Sequence, residues 1–146
     1  MIYPHVNFWV DNVEDAIRVV EKVNRSNLGL TFNLCHFLAD QGIKAEETFL
    51  PTVEKAMPYL FAISLNGADK PNEELMNSNN LWEHLIQPLG QGNYNTEKYL
   101  NAFIERGFMG PVGLQCFNIK EDKPVHLKQS MVAWKNMQKD RTDNQE

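Results

Sequence analysis

Gly29-Leu-Thr-Phe-Asn-Leu-Cys-His36 is an apolar run with β-branched and aromatic members that ends among an amide and an imidazole. Unbroken apolar character over strand length predicts a strand covered on both faces, as in a parallel sheet. Three other runs close on polar groups in the same way: Ile2-Tyr-Pro-His5, Phe61-Ala-Ile-Ser-Leu-Asn-Gly67 and Val112-Gly-Leu-Gln-Cys-Phe117. Parallel strands whose carboxyl ends all carry polar side chains are how α/β barrels assemble active sites. Here those groups are mostly amides and imidazoles, where a metal or acid–base site would use carboxylates.

Between these runs the period changes to that of a helix. Asn12 offers an N-cap, Glu14 and Asp15 occupy the first turn, and Val13, Ala16, Ile17, Val20 and Val23 follow at helical spacing. Residues 45–60 are helical again, and Pro51 is expected to open a second helical piece because proline breaks a helix interior. After the strand at 59–65, residues 66–92 hold turn-formers and glycines and are expected to form a long loop over the strand ends. Residues 96–107 form a helix with Tyr99, Leu100, Phe103 and Ile104 as its apolar stripe and Gly107 beyond its end. A strand at 112–117 and a helix at 124–139 follow, the latter with Val125, Leu127, Met131 and Trp134 expected inward; 140–146 reads as a polar tail. The order β-α-β-α-β-loop-α-β-α argues for an α/β fold of four parallel strands with covering helices. Both a small doubly wound sheet and half of an eight-stranded barrel satisfy it.

At 146 residues the chain has the size of one ordinary domain, and its net charge of -5 comes with no basic stretch, so a nucleic-acid partner is not expected. No segment approaches the roughly 20 apolar residues that span a bilayer, and Met1-Ile-Tyr-Pro-His5 lacks the character of a signal peptide. These features read as a soluble, cytoplasmic chain without a membrane partner. Cys35 and Cys116 each sit in an apolar run and read as buried, reduced thiols.

His5 and His36 fall just past strands, at the end where α/β folds bind ligands, and are the candidate acid–base residues. Asn33, Asn66 and Gln115 share that end and suit the hydroxyls of a small ligand. Trp9, Trp82 and Phe37 are candidates for an apolar wall beside a sugar ring, and Glu83 is the acid nearest the covering loop. Asp69 reads as a solvated loop carboxylate, and His84 and His126 as ordinary surface residues. Gly90-Gln-Gly92 lacks the spacing of a phosphate-binding loop and reads as a turn. Neither a Ser/His/Asp set nor cysteine-rich zinc spacing is present.

Tyr3-Pro-His5, Asn33-Leu-Cys-His36 and Gly110-Pro-Val-Gly-Leu-Gln115 fall, in order, where the sugar phosphate isomerase/epimerase family places its site residues. Leu85-Ile-Gln-Pro-Leu-Gly-Gln-Gly92, a helix and then Gly107-Phe-Met-Gly-Pro-Val-Gly113 are similar to that family's final repeat. The resemblance runs from Met1 to about Met137 and covers the carboxyl-terminal half of a xylose isomerase-like TIM barrel. It implies a (βα)4 half barrel, which a second copy or an amino-terminal half would close. The family uses a divalent metal held by Glu, Asp, His and Glu, the two glutamates moving protons in the epimerase branch. In this chain the carboxylate positions fall on Tyr3, Asn33 and Gln115, and the intervening His position on Ser64 or Asn66. Amides and a phenol remove the charge that offsets dehydration of a hard cation, and an amide is no general base, so no metal ligand is assigned. The expectation is a divergent isomerase/epimerase-like protein that acts on or binds a sugar or polyol through His5 and His36, with Tyr3, Asn33, Asn66, Gln115, Trp9 and Glu83 as binding residues. The alternatives are a silent carbohydrate-binding barrel and a half barrel that functions only once closed.

Overall fold

The computed structural model describes the backbone of residues 1–143 and the side chains of 1–139. Three strands, β1 (Leu30–Asn33), β2 (Leu60–Leu65) and β3 (Val112–Leu114), form one parallel sheet in the order β1-β2-β3. Spatial order follows chain order without a reversal, the order that consecutive strands of an α/β barrel take.

The expected fourth strand, at the amino terminus, is reduced to a single parallel bridge between Ile2 and Leu30. Pro4 has no N–H to continue the ladder, and the chain turns at once: His5 N–H donates to Val10 O at 3.0 Å and Asn7 takes φ 66°. The run at 29–36 also ends sooner than its apolar character predicts. Asn33 is the last strand residue, and Leu34–Gln41 is a helix, α2, with Leu34, Cys35 and Leu38 fully buried. A buried helix segment and a buried strand look alike in a short apolar run.

Helix α1 (Val13–Val23) starts as its sequence dictates. The Asn12 side chain accepts from Asp15 N at 3.0 Å, and Val13, Ala16, Ile17 and Val20 face inward. Helix α3 (Ala45–Ala56) follows a short 3-10 turn and passes through Pro51 without breaking there. The stretch at 66–92 is more ordered than a loop, for it carries α4 (Glu73–Met76) and α5 (Leu81–Leu85). It is tied back to the sheet by an antiparallel bridge in which Gly67 N–H donates to Gln87 O at 2.9 Å and Gln87 N–H to Gly67 O at 2.8 Å. Helix α6 (Thr96–Ile104) supplies Tyr99, Leu100, Ala102 and Phe103 to the core.

Helix α7 spans Lys123–Asp143, so the polar tail expected over 140–146 starts inside it; the side chains of 140–143 and residues 144–146 lie outside the described residues. Its inward residues are His126, Ser130, Ala133, Trp134 and Met137. Val125, Leu127 and Met131, expected inward, are about half exposed.

The core lies against the face of the sheet that carries Phe32 and Ile63, paired neighbours on β1 and β2. The Phe32 ring meets those of Phe103 at 5.1 Å, Phe37 at 5.3 Å and Tyr99 at 5.9 Å between centroids, so α2 and α6 are locked to β1 by aromatic edges. The Tyr99 hydroxyl is buried but not stranded: it donates to Ser64 O at 3.2 Å and Phe32 O at 3.4 Å. Asn33 and Ser64, the next registered pair, share the opposite face. No helix among the described residues is long and apolar enough to cross a membrane.

Candidate functional site

Strand ends bring the candidate residues together. Tyr3 and His5 follow the Ile2 bridge, His36 sits in the first turn of α2 directly after β1, and Gln115 follows β3. These four line a cavity of about 510 Å³, walled by Phe8, Trp82, Ile86 and Phe117. Its volume lies within the range of ordinary ligand sites, and its pairing of aromatic walls with a few convergent polar groups suits a small polar molecule.

The two imidazoles lie 4.0 Å apart between centroids. His5 Nδ1 is 2.9 Å from Val6 O; a carbonyl only accepts, so Nδ1 carries a hydrogen, and in the neutral ring the lone pair falls on Nε2. The His5 ring is stacked on Phe8 at 4.1 Å. His36 is held edge-on by Tyr3 at 5.6 Å and Trp82 at 5.5 Å. It is buried, and burial, with the His5 charge second, pushes its pKa down to about 4. His36 is therefore neutral at physiological pH, a hydrogen-bonding ring whose basicity burial weakens.

Across the cavity Gln115 Nε2 donates to the Tyr3 hydroxyl at 3.1 Å, and Gln115 Oε1 accepts from Phe117 N at 3.0 Å. Burial pushes the Tyr3 phenol up, with the Cys35 charge adding and the Gln115 bond opposing, so it stays a neutral donor and acceptor. Asn33 lies deeper. Its Oδ1 accepts from Ser64 Oγ at 2.6 Å and its Nδ2 is 3.4 Å from Pro4 O, so it braces the strand ends behind the His36 ring.

The other sequence candidates lie elsewhere. Asn66 is fully buried and donates to Leu85 O at 2.7 Å and Gly67 O at 2.8 Å, which fastens α5 to β2. Trp9 is 86% exposed and outside the cavity lining. Glu83 pairs with Lys120 and lines a neighbouring polar cleft with Gln87 and Gln91. Phe37 belongs to the core, whereas Trp82 is the wall residue its position suggested. Phe8 and Phe117 were not singled out from sequence. Each lies two or three residues past a polar candidate, His5 or Gln115, and that proximity was the available signal.

His84 and Asp69 form a pair, Nδ1 to Oδ2 at 2.8 Å, and Gln87 Nε2 also donates to Asp69 at 2.9 Å. His126 is buried rather than at the surface. Cys35 is fully buried, and burial raises its thiol to about 12, leaving it protonated and inert beside the site.

The donor set does not fit a hard divalent cation. Asn33 and Gln115 spend their carbonyl oxygens on Ser64 and Phe117, both carry no charge, and the Tyr3 phenol stays protonated. Among the described residues no three His, Cys, Asp or Glu side chains are grouped to hold a metal ion.

No curated protein matches the chain. A solved structure described as a xylose isomerase-like TIM barrel/4-hydroxyphenylpyruvate dioxygenase fusion protein superposes with a TM-score of 0.57 at 17% identity. The match covers 81% of this chain and 18% of that one, so this chain spans under a fifth of the fusion protein's length. A family model described as "Xylose isomerase-like TIM barrel" matches residues 1–137. With its strands wound in chain order and its polar groups gathered at their carboxyl ends, the chain belongs to the xylose isomerase-like TIM barrel family.

Proposed function

We propose that this chain binds a sugar or related polyol in the cavity between Tyr3, His5, His36 and Gln115, and that any turnover there is a metal-independent isomerase- or epimerase-like proton transfer. The observation that carries this reading is the pair of imidazoles, 4.0 Å apart, inside an aromatic-walled cavity of about 510 Å³. Trp82, Phe8 and Phe117 offer faces to the C–H side of a sugar ring. Tyr3, Gln115 and the imidazoles offer donors and acceptors to its hydroxyls.

His36, kept neutral by burial, offers an acceptor to a ligand hydroxyl, and the proton transfer, where there is one, passes through His36 or the adjacent His5. The neutral amides and the phenol replace the charged ligands of a metal-assisted mechanism, so recognition falls to hydrogen bonds.

Calorimetric titration with a panel of aldoses, ketoses and polyols tests the proposal. The expected result is binding by at least one of them that is unchanged by chelator and reduced at least tenfold in His36→Ala. Failure of the whole panel, or binding that chelator abolishes, overturns it. Incubation of a bound sugar in deuterated solvent then separates catalysis from binding: incorporation of deuterium at carbon marks proton transfer, and its absence leaves a carbohydrate-binding barrel.

A further inference from the structure

His36 lines two cavities. One is the large site; the other is a water-sized pocket of about 10 Å³ lined by Pro4, Asn33, His36, Asp40 and Thr52 among others. His36 is 7% exposed, and its Nδ1 meets no protein hydrogen-bond partner. A buried ring nitrogen without a partner is costly, and a pocket of this volume is the space of one water molecule, provided two to four polar groups surround it.

Such groups are present. His36 and Asp40 are four residues apart on α2 and therefore share one helix face. Asp40 Oδ2 accepts from Gln41 Nε2, which leaves Oδ1 available. Thr52, 4% exposed, donates its hydroxyl to Thr48 O at 2.8 Å, so its oxygen still accepts.

We infer that one ordered water in this pocket accepts from His36 Nδ1–H and donates to the Asp40 carboxylate and to Thr52 Oγ1, which makes Asp40 a positioning residue for the site. The consequence is a choice of tautomer. With the hydrogen held on Nδ1, the Nε2 lone pair is the free acceptor of the ring, so a ligand hydroxyl has one nitrogen to donate to. His5 reaches the same tautomer by a direct bond to Val6 O, so the two imidazoles are set alike by different means. This inference rests on the place of His36 in the site proposed above, but it concerns the free protein and is tested without any sugar.

Nitrogen-15 NMR of the imidazole rings reads the tautomer directly, with the His36 signals assigned by their loss in His36→Gln. The expected result at neutral pH is a pyrrole-like Nδ1 and a pyridine-like Nε2 for His36, shifting toward the other tautomer in Asp40→Ala. Thr52→Val, which removes the third water partner and keeps the side-chain shape, is expected to shift it in the same direction. It also serves should Asp40→Ala fail to fold. A wild-type ring with the hydrogen on Nε2 overturns the inference, and so does a folded variant whose His36 tautomer is unchanged. Sugar titration of the same samples reports on the binding proposal separately: an Nδ1–H tautomer with no sugar bound would sink that proposal and leave this one standing.

Discussion

At the scale of single residues, His36 shows how position overrides residue type. A histidine past a strand was legible as a site candidate, but its setting was not, because the run at 29–36 reads as a strand throughout, whereas α2 begins at Leu34 and seats the ring edge-on to Trp82 and Tyr3. Burial has a measurable consequence. An unfolded histidine titrates near 6.5, whereas in the fold His36 titrates at about 4. Between those values the unfolded chain takes up a proton that the folded chain refuses, so this contribution to stability is complete above about pH 6.5 and is lost as pH falls toward 4. Its full size is on the order of 3 kcal/mol. Burial, with Asp11, Glu14 and Asp15 adding charge, pushes the Asp40 carboxyl up, which works in the opposite sense at the acid end of the window. Urea unfolding of wild type and His36→Phe between pH 7 and 4 is expected to show a visibly flatter acid limb for the variant. Parallel curves would show that the fold leaves His36 free to protonate.

Secondary-structure elements were legible where they announce themselves locally. Helix α1 carries its cap in Asn12 and its stripe in Val13, Ala16, Ile17 and Val20, and α6 carries Tyr99, Leu100 and Phe103. The segment at 66–92 was opaque, since its helices run only four and five residues and its order comes from distant backbone bonds: Gly67 to Gln87, Asp69 N–H to His84 O at 2.8 Å, and Tyr94 N–H to Ala68 O at 2.9 Å. Two glycines permit that tethering. A Cβ on Gly67 would lie 2.1 Å from Pro88 O, and one on Gly92, whose φ is +80°, would lie 2.1 Å from Ala68 O. Gly92→Ala is therefore expected to cost about 2–4 kcal/mol, from left-handed strain together with a backbone clash that no side-chain rotation relieves. Chemical denaturation checks the figure, and a loss below about 1 kcal/mol would mean that the segment adjusts freely.

Across the whole molecule, the alternation of strands and helices was enough to give the parallel α/β class, but not to choose between an open sheet and barrel winding. That choice rests on the family match over residues 1–137, with which the order β1-β2-β3, a long-range property no local pattern encodes, agrees. The same order leaves the outer edge of β3 without a neighbouring strand among the described residues, beside Leu114 at 39% and Phe117 at 70% exposure. Unpaired edges next to apolar side chains favour association. The isolated chain is expected to sediment as a species heavier than a monomer, and Leu114→Lys to shift it toward monomer. A wild-type chain that stays monomeric at high micromolar concentration would contradict this.

The hydrogen bond between Tyr3 and Gln115 joins residues 112 positions apart. Such a contact closes only when the chain between residues 3 and 115 has been brought together, so the cavity carries a large loop-closure cost. Occupancy of the cavity thus reports that these two segments have met: a ligand that needs both Tyr3 and Gln115 in place binds no intermediate in which they are apart, and by mass action it draws such intermediates forward. A protease cut anywhere between those two residues would leave each fragment with only part of the binding surface, however well either one kept its helices.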